Sequence, residues 1–292
     1  MSNRKIRFII NPKSGTGNKS KLPYLIEKFM NPATSDSDIC FTQSAGHAVE
    51  LANEAVANHY DVVVAVGGDG SVNETASALV NSNTSLGIIP TGSGNGLARH
   101  LKIPVNAKKA IGIINTGTTD VIDTLSVNDR FCVGTIGVGF DAHIAHLFSH
   151  AKKRGYSTYV KLVLAEFSTY KIRKFSILVD ETHIEKNCFL LTFANSSQFG
   201  NNAVIAPFAD VKDGLIEISM MRKFPVFAAP GLIFRLMNNS IHRSDYFTSS
   251  RGRNIVLKNT GELQGHIDGE PVIFTNNVTI NIKPLSLRVI VP

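Results

Sequence analysis

The run V-V-V-A-V-G-G-D-G-S-V-N-E, residues 62–74, decides how the rest of the chain reads. Apolar, mostly β-branched residues end abruptly at Gly67, Gly68, Asp69 and Gly70, and Ser71, Val72, Asn73 and Glu74 follow. An unbroken apolar run of this kind reads as a parallel strand covered on both faces. Val72, Ala76, Leu79 and Val80 then recur at helical spacing, so a helix starts directly after the glycines. In an open parallel sheet, ligands bind beyond the carboxyl ends of the strands. Glycines there let backbone amides approach an anion, and a helix N-terminus adds partial positive charge. Asp69 is placed to hold a metal or take a proton. The same letters also fit a tight strand-to-helix turn with Asp69 as N-cap.

Outward from this stretch, the first half alternates strands and helices. Apolar strands are expected at 5–10, 38–42, 61–66 and 86–90, with helical spacing over 22–29, 48–57, 97–101 and 107–114. Repeated units of this length imply an α/β doubly wound parallel sheet. Two other strand ends carry loops of related composition: N-P-K-S-G-T-G-N at 11–18 and P-T-G-S-G-N at 90–95. In the first, Pro12 restrains the exit from the strand, and Gly15 and Gly17 free the backbone. Ser14 and Thr16 can donate to phosphate, and Lys13 can neutralise charge developing on a transferred phosphoryl group, although by itself the loop also fits an exposed glycine turn with a solvated lysine. The spacing is not the Walker pattern.

After about residue 120 the pattern changes. Short strands are expected at 121–127, 131–136, 175–179, 189–194, 215–220, 254–257 and 278–282, with helical stretches at 142–148 and 159–167. This reads as a mainly antiparallel β domain with a helical insertion. The implied division is 1–124 as an α/β domain and 125–283 as a β domain, with the apolar run in 284–292 able to return to either and so to complete the first.

A chain of 292 residues that is 43% hydrophobic has ample core for two modest domains. Its three cysteines, Cys40, Cys132 and Cys188, are scattered and lack metal spacing, which fits a reducing compartment. No apolar run approaches the roughly 18 residues of a membrane span. Asn11, Pro12 and Lys13 interrupt the N-terminus too soon for a signal peptide, so a cytoplasmic protein is expected. A net charge of +7 favours an anionic partner: nucleotide, nucleic acid or acidic lipid surface. Tryptophan is absent and no basic run is interleaved with stacking aromatics, which weighs against nucleic acid.

Taken together, six blocks resemble the diacylglycerol kinase catalytic-domain family. This family includes bacterial soluble diacylglycerol kinases and YegS-type lipid kinases and is related to sphingosine kinases. The blocks are N-P-K-S-G at 11–15, G-G-D-G-S-V-N-E at 67–74, P-T-G-S-G-N at 90–95, G-V-G-F-D-A at 137–142, A-D-V-K-D-G-L at 209–215 and I-D-G-E-P at 267–271. The resemblance implies an N-terminal domain similar to NAD kinase and phosphofructokinase and a C-terminal antiparallel β-sandwich. It implies an ATP- and Mg2+-dependent kinase acting on a lipid hydroxyl, diacylglycerol foremost. ATP would meet Asn11, Pro12, Lys13, Ser14, Gly15, Thr42, Gly67, Gly68, Asp69, Gly70, Ser71, Asn73, Glu74, Thr91, Gly92 and Asn95. Asn73 and Glu74, in the first helical turn, would join Asp69 in a magnesium or hydrogen-bond network.

By the same resemblance, Asp210, Asp213 and the Leu215 carbonyl would hold a structural magnesium, although locally they also fit an Asp-rich turn. Asp268 and Glu270 would supply the general base for the lipid hydroxyl, with Asp268 favoured and Asp69 its rival. Locally, Asp268-Gly269 also fits a hairpin turn. Asp141 would sit by the acceptor hydroxyl. Arg222, Lys223, Phe224, Phe227, Leu232, Phe234 and Arg235 mix basic and apolar residues suited either to packing or to an anionic bilayer. The expected setting is the inner face of the membrane, with peripheral contact and room for a homodimer. His47, His100, His143, His146 and His266 lack metal spacing and receive no role. Two other readings stay open: an NAD kinase-like enzyme, which shares G-G-D-G and N-E, and a nucleotide-binding regulator without catalysis.

Overall fold

A computed structural model describes residues 3–13, 19–151 and 156–292. The chain divides into two compact units, Met1–Asp123 with Leu285–Pro292, and Thr124–Pro284. The boundary falls inside two strands, Thr118–Val127 and Val278–Val291, so the chain leaves the first unit along one and returns along the other.

In the first unit, four strands pair in parallel in the order Ser35–Phe41, Arg4–Ile10, Val62–Gly67, Ser85–Pro90. Val289 then pairs in parallel with Leu86, adding a fifth strand. Every residue of Val62–Gly67 is buried, as its continuous apolar run requires. The chain steps to one side after its first strand and back across after its second. Right-handed crossovers therefore set Leu22–Phe29 on the face opposite His47–Ala57 and Asp69–Leu79. The latter two helices pack on each other, while Ala107–Thr116 packs against Leu22–Phe29, which makes the sheet doubly wound. The order reverses between Arg4–Ile10 and Val62–Gly67, and that switch point is where open α/β sheets bind ligands. The second strand starts earlier than its apolar pattern indicates, because parallel pairing with the first runs from Arg4 opposite Ser35. The returning segment is held by the Asn81 N–H donating to the Ser286 carbonyl, and by the Leu285 N–H donating to Asp123 Oδ1 at 2.7 Å.

The second unit is a sandwich. One antiparallel sheet runs Phe247–Gly252, Ile216–Met221, Leu190–Ala194, Thr135–Gly139, Leu263–Ile267, Glu270–Phe274. Facing it are Thr182–Cys188, Arg173–Val179, Asn254–Leu257 and the first part of Val278–Val291. Val138, Phe193 and Ile218 of the first sheet share a buried core with Ile177, Ile255 and Ile280 of the second. Outside the six-stranded sheet lie Phe140–Ser149, Tyr156–Glu166 and Ala229–Met237. They pack around an aromatic cluster in which Phe140 stacks on Phe189 at 4.4 Å.

Some expectations need correction. The single strand expected at 131–136 is two, Arg130–Cys132 and Thr135–Gly139. The strands Thr182–Cys188, Phe247–Gly252, Leu263–Ile267 and Glu270–Phe274 have no counterpart in the sequence reading. Neither does the helix Ala229–Met237. Pro225 and Pro230 look like breakers, yet Pro230 occupies the first helical turn, where its missing N–H costs nothing. The strand expected at 278–282 and the apolar run 285–291 form one strand, Val278–Val291, with Leu285 at φ +45° inside it.

Candidate active site

Three strand ends of the first unit gather at the switch point. The Asn11 side-chain amide donates to Ser71 Oγ at 3.1 Å, tying the exit of the first strand to the first turn of Asp69–Leu79. The Lys13 N–H donates to Asn11 Oδ1 at 2.9 Å, and the side chain of Lys13 is exposed, as is Pro12. Thr42 lies beside them, its N–H donating to the Ile10 carbonyl. Ser14 and Gly15, with the rest of 14–18, fall outside the described residues.

The G-G-D-G turn and the 90–95 loop touch directly. A Cβ on Gly92 would stand 2.5 Å from the Gly68 Cα, so only glycine allows this approach. Asp69 fixes it. Its Oδ2 accepts the Asn95 N–H at 2.9 Å and its Oδ1 accepts the Gly96 N–H at 2.7 Å. The Asp69 carboxylate thus serves the next loop rather than the N-cap of its own helix, where Gly68 stands. The Asn95 side chain closes that loop on itself, accepting the Gly92 N–H and donating to the Gly92 carbonyl. The Thr91 N–H donates to the Gly67 carbonyl, and Arg99, unremarked in the sequence reading, donates to the Gly94 carbonyl. Asn73 and Glu74 lie half-buried in the second turn of the helix, not the first, because the helix already starts at Asp69. Glu74 is the carboxylate of this cluster that those loop bonds leave out. Backbone amides, a helix N-terminus and glycines in contact make an anion cradle, which suits a polyphosphate.

In the second unit, Asp268 and Gly269 join Leu263–Ile267 to Glu270–Phe274. Both have positive φ, +49° and +84°, the backbone of a type I′ hairpin turn. Asp268 also accepts N–H bonds from Val133 at 3.0 Å, Gly134 at 2.8 Å and Thr135 at 2.9 Å, and the Cys132 thiol at 3.3 Å. These bonds explain the break expected nowhere in 131–136: the backbone there turns its amides to one carboxylate instead of a ladder. Glu270, on the far side of the turn, is exposed.

Behind the turn lies a pair that sequence spacing did not reveal. His266 Nε2 is 3.1 Å from Asp141 Oδ2, and both residues are buried. A Cβ on Gly137 would collide with both side chains, so glycine at 137 makes room for the pair. The Gly269 N–H points at His266 Nδ1 at 3.4 Å, linking the pair to the turn. Asp141 Oδ1 is buried without a partner among the described residues.

The 209–215 segment shows two Asx turns: Asp210 Oδ1 accepts the Lys212 N–H and Asp213 Oδ1 accepts the Leu215 N–H. The oxygen-only donor set suits a hard cation. Arg251, however, reaches within 3.7 Å of Asp213, and its charge opposes a dication there. Among the described residues no three His, Cys, Asp or Glu side chains come together as metal ligands.

The next strand carries Glu217, 1% exposed, which accepts the Phe208 N–H at 2.7 Å. Burial pushes its carboxyl up to about 7 from an ordinary 4.5. The folded protein therefore keeps this proton where the unfolded chain has lost it. Stability from this group is full below pH 4.5 and disappears as pH rises through about 7. Calorimetric melting between pH 5 and 8 should show the wild type losing up to about 3 kcal/mol as pH rises, while Glu217→Gln lacks that component.

Comparison with known proteins fits this geometry. The family model for the diacylglycerol kinase catalytic domain matches residues 5–127, and that for the YegS C-terminal NAD kinase beta sandwich-like domain matches 134–291. The chain belongs to the diacylglycerol kinase family. A diacylglycerol kinase of Mycobacterium tuberculosis is 31% identical over 224 residues, covering 74% of this chain and 72% of the relative. A YegS-like protein of Pseudomonas putida is 26% identical over 259 residues, 87% of this chain and 85% of that one. A crystal structure of a diacylglycerol kinase from Bacillus anthracis superposes with a TM-score of 0.74 at 18% identity, covering 100% of this chain and 98% of the other. That likeness speaks for the fold. The family is one of phosphotransferases, so the chain is a kinase by descent.

Proposed function

We propose that this kinase transfers the γ-phosphoryl group of ATP to a lipid hydroxyl, with diacylglycerol the first candidate. The observation that carries the reading is the junction of Asn11 with Ser71, Gly68 with Gly92, and Asp69 with Asn95 and Gly96, in a chain whose relatives are named as lipid kinases. Phosphoryl transfer is mostly positioning and charge neutralisation. Amides of the two glycine loops and the first turn of Asp69–Leu79 would hold the phosphates, and Lys13 would meet charge on the transferred group. Asp69 acts by holding those loops together. Magnesium would be held largely by phosphate oxygens with Glu74 as the protein carboxylate, and would neutralise phosphate charge.

In the transfer, the lipid hydroxyl oxygen bonds to the γ-phosphorus as the bond to the β-phosphate bridging oxygen breaks, releasing ADP. The hydroxyl proton goes to a carboxylate, and Asp268 is the proposed acceptor, its direction set by three amide donors. Incubation with γ-labelled ATP and magnesium, across a panel of diacylglycerol, sphingosine, ceramide and NAD, should label diacylglycerol. Label on NAD alone would replace this reading with an NAD kinase. Nucleotide binding without transfer to any acceptor would replace it with a regulator.

A further inference from the structure

The helix Ala229–Met237 and the turn before it carry apolar side chains on both faces. Leu232 is buried and Leu236 half-buried, packed with Phe140, Phe189 and Phe247. At helical spacing on the other side, Ile233 and Phe234 are 59% and 68% exposed, and Met237 is 48% exposed. Just ahead of the helix, Val226 and Phe227 are 63% and 85% exposed. Five large apolar side chains clustered on twelve residues are unlike the scattered exposed leucine that any protein surface shows. From 218 to 244 the chain has no acidic residue, but it has Arg222, Lys223, Arg235 and Arg243. Arg222 and Arg243 are exposed.

We infer that this patch is where the protein docks on an anionic lipid surface: the helix lies in the interface with Phe227, Ile233 and Phe234 among the acyl chains and the arginines at headgroup level. The inference rests on the reading above that the acceptor is a membrane lipid. A helix of nine residues is far too short to span, and no described helix is long and apolar enough to do so. It has the length and composition to lie flat, apolar side down, with basic side chains reaching up to phosphates. Charge selects the occupant. A two-fold contact with a second copy would set Arg222, Arg235 and Arg243 against their own images, whereas anionic headgroups neutralise them.

The chain contains no tryptophan, so Phe227→Trp installs a single reporter. With vesicles of phosphatidylglycerol and phosphatidylcholine, in the absence of ATP, its emission should shift to the blue and be quenched by brominated acyl chains. Vesicles of phosphatidylcholine alone, or high salt, should weaken the response. The double variant Phe227→Ser/Phe234→Ser should sediment with anionic vesicles at least about tenfold less well than the wild type. Its transfer to a short-chain diacylglycerol dispersed below its micellar limit should be unchanged. Unaltered emission from Phe227→Trp on vesicles that bind the protein would overturn the inference. So would a wild type that is dimeric in solution and becomes monomeric in the double variant. Vesicle binding is read without nucleotide, so a protein that docks through this helix and phosphorylates no lipid would refute the proposed function alone.

Discussion

Asp268→Asn is expected to abolish turnover, by on the order of a thousandfold or more, while leaving ATP affinity close to wild type. The side chain is asked to do two things, and the structure shows one of them in detail. Its carboxylate accepts three backbone N–H groups, from Val133, Gly134 and Thr135, and a thiol, so it holds the start of a strand in place. Asparagine keeps the size but turns an NH2 toward donors that need an acceptor. Hydrogen bonds to a charged group contribute about 1.5–3 kcal/mol each, so a loss of about 3 kcal/mol of stability should accompany the loss of rate. For a chain of this size that is a melting shift of roughly 5 °C, measurable by calorimetry. Single-turnover rates at saturating ATP, taken well below the melting point, separate the two roles. If the rate per folded molecule stayed near wild type while the melting point fell, Asp268 would be an anchor and the proton would go elsewhere. The pH–rate profile of Asp268→Glu, which keeps the carboxylate but moves it by one methylene, would then identify the replacement.

Asp69→Ala should act on the nucleotide rather than on the acceptor. Removing the carboxylate strands the Asn95 and Gly96 amides and releases the 90–95 loop from the G-G-D-G turn. The two charge-assisted bonds together contribute about 3–5 kcal/mol, divided between stability and the cost of rebuilding the cradle when ATP binds. The KM for ATP is expected to rise on the order of 100-fold, equivalent to about 3 kcal/mol. Asp69→Asn keeps one acceptor and should fall between. ATP titration by calorimetry reads the affinity directly, and an unchanged dissociation constant would show that the loop junction is not part of the nucleotide site.

The glycine loops at the strand ends were legible because their residue types have few other uses. Gly67, Gly68 and Gly70 after a fully apolar strand, and Gly92 and Asn95 after another, mark strand ends that must approach something closely. What Asp69 does there was not legible, since its partners lie 26 and 27 residues away and depend on how two crossovers superpose their ends. The second unit was read less well for a related reason. Thr182–Cys188 is an edge strand with charged outward side chains, so its local pattern resembles a loop. The His266–Asp141 pair joins positions 125 residues apart, and a lone histidine in an apolar strand carries no mark of its partner. Glu217 was hidden in the same way, because only its burial distinguishes it from any surface glutamate.

The return of Leu285–Pro292 to the first unit has a consequence for biosynthesis. The ribosome delivers the whole of Thr124–Pro284 before the segment that pairs with Leu86 and caps Asn81 exists. Until then the Ser85–Pro90 strand has an open edge of unpaired backbone groups, a template for another chain's backbone. Pulse-labelled nascent chains stalled at residue 284 should therefore be sensitive to protease in the first unit and bound by chaperones, and both should end once Leu285–Pro292 emerges.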